Sequence, residues 1–564
     1  MPSRLFFPAA ILSAMPLLAG QPMTTEQKIA QLLIVGFDGH VSSDELRAAV
    51  SRGVGGVVFY AYNVESAEQA RHVTDSIRTA AGPIAPFIAI DQEGGIVHRL
   101  RSGVPVIPSN MAIGATGSPE LARRAGRSVG AALRDLGFTM NFAPVLDVLS
   151  DHRNDAIGTR SFSDDPQLVA ALGSAFIEGQ NEAGIISVAK HFPGQGGVRE
   201  DTHQTLPSLD VSIEKMRDRE LVPFREGFRH GLEAVMTAHI ALPRIAETAS
   251  TPASLSRRVL RYLLRDEMHF DGIVITDALQ MKALGDDRLS AAITALKGGA
   301  DMILTAGTAA ERESIFRGLL TAYRSGRLRK ATVDRALRHI LAVKTHLRST
   351  PPVDPDPGIV REIAERSITV IGSLPSLRER RVLYLGGASA TIPVPRKVEE
   401  ASGIVRAAVE SAKNADVIVA VAATRDQADV ARRAHNAAPS VPMIFVNLGL
   451  IDEWIDGVPS IVAYAEDHES VNAITRVLGG EFRATGRYPL GNDRSRTPPP
   501  TSAARACTRE GGRGEARRSV CYPGTRRSNE PRSAQCSFQP RGAAPRVQAM
   551  LAPYCRCNFG NTST

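Results

Sequence analysis

Residues 184–194 read GIISVAKHFPG. The first six residues of this stretch are apolar or small and predict a buried β-strand, and Lys190 and His191 follow it directly. A Pro-Gly turn then leads into a loop that carries Asp201 and His203. In α/β proteins, reactive groups usually lie where a buried strand ends and a loop begins. The stretch therefore predicts one strand and one candidate functional site.

Similar apolar runs occur on both sides of this strand, and amphipathic helical patterns separate them. The eight runs are Gln31–Phe37, Gly55–Tyr60, Pro86–Ile90, Thr139–Val148, Ile185–Ala189, Ala234–Ile240, Gly272–Thr276 and Ala300–Thr305. The helical patterns include Ser66–Ala81, Pro119–Leu136, Pro166–Ala183, Arg217–His230, Ser256–Met268 and Ala309–Arg324. Because parallel strands need helical crossovers, these units predict an α/β fold, a (β/α)8 barrel of the TIM type over residues 21–348. A doubly wound sheet is the alternative architecture.

A second, smaller α/β domain is predicted after a proline-rich linker. The linker covers residues 349–360 and begins STPPVDPDP, a composition typical of stiff, exposed segments. Strand patterns follow at Arg381–Leu385, Val417–Ala422, Pro442–Val446 and Ser460–Ala463. With helices between them, these strands predict an αβα sandwich over residues 361–492.

The C-terminal tail, residues 493–564, has a composition unlike the rest of the chain. It holds 13 Arg, no Lys and 4 acidic residues, a net charge of +9, so the total of +8 leaves −1 for residues 1–492. All five cysteines also lie in the tail, which excludes disulfides and thiol catalysis from the body. The lack of apolar periodicity predicts a disordered or non-native tail. An Arg-rich arm for nucleic acid is the alternative, but we expect no nucleic-acid partner.

The N-terminus, residues 1–20, resembles a signal peptide. Arg4 precedes the apolar run Leu5–Leu18, and small residues follow that run. We therefore expect an exported protein, periplasmic or secreted, with a plain apolar helix of a cytoplasmic protein as the alternative. No later segment reaches about 18 uninterrupted apolar residues, so we expect no stable membrane insertion.

Charged or imidazole groups follow the predicted strands three to seven, at the end where barrel enzymes carry their active sites. These groups are Asp91, Glu93 and Arg99, then Asp147 and Arg160, then Lys190, His191, Asp201 and His203, then His239, and finally Asp277. A single such group would be a solvated strand end, whereas five strands in register indicate a site. Glu93 could bind a substrate or pair with Arg99 or Arg101.

Two of these positions suggest acid–base or nucleophilic chemistry. Asp277 could serve as a nucleophile or base, or it could cap the helical segment that begins at Ala278. Asp201 lies two residues from His203 and could raise the basicity of that imidazole, although both could equally be surface groups. The histidines are dispersed, and neither zinc-binding spacings nor a Gly-rich phosphate loop occurs, so we predict no metal and no cofactor.

Taken together, the motifs resemble those of glycoside hydrolase family 3. They are DQEGG at 91–95 with Arg99, GTRSF at 158–162, KHFPG at 190–194, Asp201-x-His203, and TDALxM at 276–281. They occur in order over residues 25–345, and they are most similar to those of the two-domain bacterial β-N-acetylglucosaminidases. The tail lies outside the resemblance.

The resemblance implies a retaining hydrolase that releases terminal β-linked N-acetylglucosamine from an oligosaccharide or muropeptide, with a role in peptidoglycan turnover. It implies that Asp277 forms a glycosyl-enzyme, and that His203, paired with Asp201, is the acid/base. The residues at the sugar-binding positions of the family are Asp91, Arg99, Arg160, Lys190 and His191.

Two positions depart from the family pattern, and two rival functions stay open. Gln195 stands where the family usually has His, and Ala278 follows the implied nucleophile where polar residues are common. One rival is a family 3 β-glucosidase, although such enzymes take their acid/base carboxylate from the second domain. The other rival is a sugar-binding barrel without catalysis.

Overall fold

The structure is a computed structural model that describes residues 22–200, 204–347, 352–387, 390, 392–396 and 401–491. The predicted signal peptide, Asp201, His203 and the predicted tail at 493–564 lie outside the described residues. The predicted domain boundaries at 348–349 and 492–493 also fall there and stay predictions.

A parallel sheet of eight strands forms the first unit of the described chain. The strands are β1 Leu33–Val35, β2 Gly56–Phe59, β3 Phe87–Ile90, β4 Met140–Asn141, β5 Ile186–Phe192, β6 Ala234–Thr237, β7 Ile273–Thr276 and β8 Ile303–Thr305. Their order is β7-β6-β5-β4-β3-β2-β1-β8, and a parallel bridge from Ile275 to Met302 joins β7 to β8. This closure confirms the predicted (β/α)8 barrel and excludes the doubly wound sheet.

Helices surround the barrel and bury their apolar faces against it. They are α1 Thr25–Ala30, α2 Asp44–Ser51, α3 Ala67–Ala80, α4 Asn110–Thr116, α5 Pro119–Asp135, α6 Pro166–Glu182, α7 Ile213–Asp218, α8 Val222–Arg229, a π-helix Arg258–Glu267, α9 Arg288–Gly298, α10 Ala309–Arg324 and α11 Lys330–His346. Local sequence sets several of their starts. Ser118 and Asp165 accept hydrogen bonds from the first turns of α5 and α6, and each precedes a proline whose missing N–H costs nothing at that position.

Several elements differ from the sequence-based prediction: β5 extends through Lys190 and His191 to Phe192, and proline explains two further differences. The predicted strand Thr139–Val148 is regular only over Met140–Asn141. Pro144 has no N–H to donate to the ladder, so the chain beyond it pairs with β5 through a single bridge. The predicted helix Arg217–His230 is likewise divided into α7 and α8, because Pro223 occupies the first turn of a new helix.

A second sheet of six strands lies in the C-terminal part of the described chain. Its strands are β9 Thr369–Ile371, β10 Val382–Gly386, β11 Ile392–Pro393, β12 Val417–Ala422, β13 Met443–Leu448 and β14 Ser460–Ala463. Their order is β11-β10-β12-β13-β14-β9, parallel throughout except for β9, which runs antiparallel to β14. The sequence analysis missed β9 and β11, which are short strands at the two edges of the sheet.

Helices cover both faces of this sheet, as the predicted αβα sandwich requires. They are α13 Ala401–Ala412, α14 Arg425–Ala437 and α15 His468–Leu478, whereas the preceding helix, α12 Ile359–Ser367, packs against α4, α5 and α15. Alternate residues of β12 point to opposite faces. Val419 belongs to a core cluster that includes residues of α15, whereas Ala420 belongs to one that includes residues of α13 and α14.

His152 connects the two units. This side chain follows β4, and its ring nitrogens lie 2.9 Å from Oδ2 of Asp164 and 2.5 Å from Oδ2 of Asp452 in the second unit. The hydrogen bonds to Asp164 and Asp452 raise the pKa of His152 to about 10. The imidazolium is therefore the form that joins the barrel to the sandwich.

The pKa of His152 predicts how the stability of this junction depends on pH. An imidazole in an unfolded chain has a pKa of about 6.5, so the contribution of His152 is complete below that pH and is lost as pH rises through about 10. We expect His152→Gln to lower the free energy of unfolding by about 1–2 kcal/mol at pH 6 and by much less near pH 10. Denaturant unfolding at both pH values measures the difference. The exposed His72 supplies the control, since His72→Gln should show no such dependence; an equal cost of His152→Gln at both pH values would contradict the assignment.

Candidate active site

A buried lysine connects the loop after β3 to β5. Nζ of Lys190 lies 2.7 Å from Oδ1 of Asp91 and 2.5 Å from Oε1 of Glu93. The side chains of Lys190 and Glu93 are only 3% and 1% exposed. Ion pairs so well screened from water are stable only when each charge is matched, so the positions of the three groups depend on one another.

Two arginines complete this charge network. Nη2 of Arg99 donates to Oδ2 of Asp91 at 3.2 Å. Arg160 donates to both carboxylate oxygens of Glu93, from Nε at 2.8 Å and from Nη2 at 2.9 Å. The expected partnership of Glu93 with Arg99 or Arg101 is therefore wrong, because Arg99 faces Asp91 while the longer reach of the loop after β4 delivers Arg160 to Glu93.

The network keeps its carboxylates ionised. Burial opposes ionisation of both, but Lys190 and Arg99 outweigh it and hold the pKa of Asp91 well below its usual range. Arg160 and Lys190 likewise lower the pKa of Glu93 to about 2 despite its burial. Two carboxylates and three cations thus present fixed hydrogen-bond donors and acceptors at neutral pH.

A fully buried carboxylate, that of Asp147, orients the imidazole of His191. Its Nδ1 lies 2.7 Å from Oδ2 of Asp147, whose side chain is 0% exposed. Oδ1 of Asp147 also accepts hydrogen bonds from the backbone N–H groups of His191 and Gln195. This arrangement assigns the proton to Nδ1, and no described residue bonds to Nε2, which stays available to a ligand. Gln195, the departure from the family pattern, is held here through its backbone.

Asp277 ends β7 and differs from the other carboxylates of the site. Among the described residues, no cation forms an ion pair with it, and its Oδ1 accepts only the N–H of Ala278, at 2.7 Å. The local hydrogen bond is compatible with the capping alternative, but the only helix there is a short 3-10 turn over Lys282–Leu284. Asp277 is also only partly buried, so its second oxygen can reach a ligand.

His239 supports Asp277 and does not line the mouth of the barrel. Its ring is fully buried, with Nδ1 2.7 Å from Oγ of Ser254 and Nε2 3.2 Å from the carbonyl oxygen of Ala278. Burial lowers the pKa of His239, so the neutral ring donates to that carbonyl. His239 follows the sixth strand as predicted, but it does not point into the mouth of the barrel, because its side chain packs against the turn that carries Asp277.

The sequence analysis also missed Tyr60, directly after β2. Its hydroxyl is buried and has no hydrogen-bond partner among the described residues. Burial raises the pKa of Tyr60 well above its usual value, and the nearby charges of Asp91 and Asp277 raise it further. The hydroxyl is therefore a protonated donor near both carboxylates. The only sequence signal for this residue is its position directly after a buried strand, because a tyrosine there carries no charge that would mark a functional site.

The predicted acid/base pair lies outside the described residues, while its neighbour Gln204 is described. Oε1 of Gln204 accepts a hydrogen bond from Nζ of Lys282 at 3.1 Å. Lys282 lies five residues after Asp277, so the chain at Gln204 adjoins the loop that carries Asp277. The roles of Asp201 and His203 stay predictions.

Neither a metal cluster nor a membrane helix is found in the described part of the chain. There, no group of three or more His, Cys, Asp and Glu side chains is arranged to hold a metal ion. None of the described helices is long and apolar enough to cross a membrane.

Two known proteins are similar to this chain in sequence. The Beta-hexosaminidase A of Pseudoalteromonas piscicida is 32% identical over 380 residues, which cover 60% of this chain and 64% of that protein. The Beta-hexosaminidase of Idiomarina loihiensis is 36% identical over 283 residues, 49% of this chain and 83% of that protein. The chain thus spans less than two thirds of the first relative and most of the second.

A solved structure and a family model extend the comparison. The structure of a glycoside hydrolase family 3 beta-N-acetylglucosaminidase from Paenibacillus sp. superposes with a TM-score of 0.74 at 32% identity, over 83% of this chain and 99% of that one. The model of the glycosyl hydrolase family 3 N-terminal domain matches residues 24–343, which contain the whole barrel. The chain belongs to glycosyl hydrolase family 3.

Proposed function

We propose that this protein is a retaining β-N-acetylhexosaminidase that releases terminal β-linked N-acetylglucosamine. The proposal agrees with the relatives, which are named beta-hexosaminidases and a beta-N-acetylglucosaminidase. The observation that carries it is the contrast among the carboxylates of the site. Asp91 and Glu93 are ion-paired, whereas Asp277 forms no ion pair with any described cation.

The unpaired carboxylate is suited to covalent catalysis. Cations that neutralise a carboxylate make it a weaker nucleophile, although its oxygens can still accept hydrogen bonds, whereas no described cation pairs with Asp277. In the first step, that oxygen forms a bond to the anomeric carbon as the bond to the leaving oxygen breaks. In the second step, water attacks the same carbon and Asp277 departs as a carboxylate, so the configuration is retained.

The paired groups are suited to holding the sugar. Asp91 offers acceptors to ring hydroxyls, while Lys190 and Arg99 offer charged donors beside it. Nε2 of His191 adds a further polar contact at the end of β5. Charged hydrogen bonds are strong where water is excluded, and these groups need no rearrangement to form them.

The proton transfers are assigned to His203 with Asp201. The imidazolium protonates the leaving oxygen in the first step, and the neutral imidazole takes a proton from the attacking water in the second. Asp201 favours the charged form of the ring. The contact of Gln204 with Lys282 supports this assignment, because it holds the chain next to His203 beside the loop of Asp277.

We further propose export of the protein and a role in peptidoglycan turnover. The sequence of residues 1–20 supports export, and muropeptides carry terminal β-linked N-acetylglucosamine. Chitooligosaccharides carry the same residue, so comparison of kcat/KM on muropeptides and on chitobiose tests the role. A clear preference for chitobiose would favour chitin breakdown.

The nucleophile assignment predicts the effect of Asp277→Ala on 4-nitrophenyl β-N-acetylglucosaminide. We expect kcat to fall by roughly 10³-fold or more, because the covalent route is lost. The control is Asp271→Ala, which removes an exposed carboxylate just before the opposite end of β7 and should leave kcat unchanged. Turnover by the wild-type protein of the β-glucoside but not of the β-N-acetylglucosaminide would instead support the rival β-glucosidase. Substrate binding without any turnover would support the non-catalytic barrel.

The acid assignment predicts that His203→Ala affects substrates unequally. Substrates with poor leaving groups need protonation, so kcat/KM on chitobiose should fall by roughly 10²-fold or more. A dinitrophenyl glycoside has a good leaving group, and its first step should keep most of its rate. Pre-steady-state measurement of dinitrophenol release gives that rate, with His72→Ala as the matched control. Equal losses on both substrates would rule out the acid role.

The unpartnered hydroxyl of Tyr60 predicts an effect on turnover without a loss of stability. Tyr60→Phe removes a donor that no described residue accepts, so the melting temperature should stay the same or rise. The donor lies near Asp91 and Asp277, and its loss should reduce kcat/KM by roughly tenfold. Tyr62→Phe, in the ring stacked on Tyr60 at a centroid distance of 5.6 Å, is the control. A drop in melting temperature with unchanged kcat/KM would show that the hydroxyl serves the fold alone.

A further inference from the structure

A basic groove of about 770 Å³ lies on the outside of the barrel. Its walls come from the π-helix, the end of α9, the turn after α10 and the first half of α11. Cationic side chains dominate its lining: Arg257, Lys297, Arg327, Arg329, Arg335 and Arg338, with Arg261 as a seventh. None of the described aspartates and glutamates lines it.

Two walls of the groove, the end of α9 and the turn after α10, lie toward the end of the barrel opposite the catalytic mouth. Lys297 is the penultimate residue of α9, and the chain enters β8 only five residues after α9 ends. The helices of a βα barrel run back toward the N-terminal ends of the strands, whereas Asp277 and Lys190 lie toward the C-terminal ends. The groove is therefore separate from the site of hydrolysis.

Most of its positive charge is unmatched within the described chain. Arg257, Lys297, Arg329 and Arg338 form no ion pair with any described carboxylate. Within the described residues, two of the lining arginines have carboxylate partners: Arg261 lies 3.2 Å from Asp266, and Nε of Arg335 lies 3.8 Å from Oδ1 of the buried Asp301. Arg327 donates to the hydroxyl of Ser290. Since residues 1–492 carry a net charge of −1, this concentration of cations is a local feature and not an average property.

The side chain of Arg335, at the base of the groove, lies close to several other cations of this surface. Its Nη2 donates to the carbonyl oxygens of Leu296 and Ala300, while its buried Nε has no hydrogen-bond partner in the described structure. Burial lowers the pKa of Arg335, and the charges of neighbouring arginines lower it further, against the opposing effect of Asp301. Like charges held together in this way favour the binding of an anion, which relieves their repulsion.

The N-terminus of α11 adds to the positive electrostatic potential of the groove. This helix has 17 residues, and its N-cap residue, Arg329, offers no side-chain hydrogen bond to the first turn. Its first N–H groups and the positive end of its dipole therefore lie beside the arginines. Backbone donors and guanidinium groups together are the usual combination in phosphate sites.

We propose that the basic groove binds a small polyanion that carries two or more phosphate groups. Arginine outnumbers lysine six to one in the lining, and the planar guanidinium matches two phosphate oxygens at once. The volume suits a small ligand, and the spread of cations over four elements exceeds what one phosphate would engage. The site is independent of the hydrolase activity.

Binding of inorganic tripolyphosphate to the full chain tests the proposal. Calorimetric titration at low ionic strength should give saturable binding that weakens as salt is added, and the ligand should raise the melting temperature. The double variant Arg329→Gln with Arg338→Gln should weaken binding by roughly tenfold or more. The control is Arg361→Gln with Lys413→Gln, which removes two exposed cations of the second unit and should bind as the wild type does.

The remaining outcomes are equally decisive. Absence of saturable binding, or equal weakening in the control variant, would overturn the proposal. Binding to phosphatidylglycerol vesicles or to DNA without binding of tripolyphosphate would overturn it in favour of an extended anionic surface. Circular dichroism verifies the fold of each variant. If the double variant is unstable, Lys297→Gln on the other wall of the groove replaces it, and it should also weaken the binding of tripolyphosphate.

Discussion

The site depends on a buried ammonium group between two carboxylates. Lys190 reaches from β5 to Asp91 and Glu93 after β3, across the position of β4. An ammonium buried at this depth would strongly destabilise the fold if it lacked both carboxylates. Each carboxylate would likewise destabilise the fold if it lacked its cation. The pairing therefore fixes the relative position of two strand ends, and through Arg99 and Arg160 it also fixes the loops that follow β3 and β4.

This constraint separates binding from chemistry in the mouth of the barrel. The paired groups hold one another in place, and the lowered pKa values of Asp91 and Glu93 keep both carboxylates ionised, so the network is suited to orienting a sugar without rearrangement. Asp277 is excluded from the network and is positioned by other means. The turn that carries it is held by His239, which bonds to the carbonyl of Ala278 from below. The carboxylate proposed as the nucleophile is thus held in position, and no described cation neutralises it.

Site residues that directly follow a strand could be predicted from the sequence, whereas contacts between residues far apart in the chain could not. Apolar runs with polar ends identified Asp91, Lys190, His191 and Asp277, because a strand and the group that follows it are adjacent in the chain. Glu93 was paired wrongly, since its partner Arg160 lies 67 positions away and only the closed barrel brings them together.

Other differences have similarly physical causes. His239 resembled its neighbours in sequence, yet packing places it beneath the mouth, where it has 0% exposure. The edge strands β9 and β11 have 3 and 2 residues, too few for a period-two pattern to be recognised. Proline at position 144 was visible in the sequence, but its effect on the ladder depends on β5 as the partner strand.

The two ends of the barrel differ in whether their charged side chains are paired, and this difference bears on function. At the mouth, Lys190, Arg99 and Arg160 each face a carboxylate, so those charges stabilise the architecture of the site, while Asp277 pairs with no described cation. At the other end, Arg329, Arg338 and Lys297 have no such partner among the described residues. A fold gains nothing in stability from crowding like charges, and a surface of mixed charges would cost it less. In the functions proposed above, the unpaired carboxylate meets an anomeric carbon and the unpaired cations meet phosphate oxygens. Each proposal would explain why these charges lack a partner among the described residues.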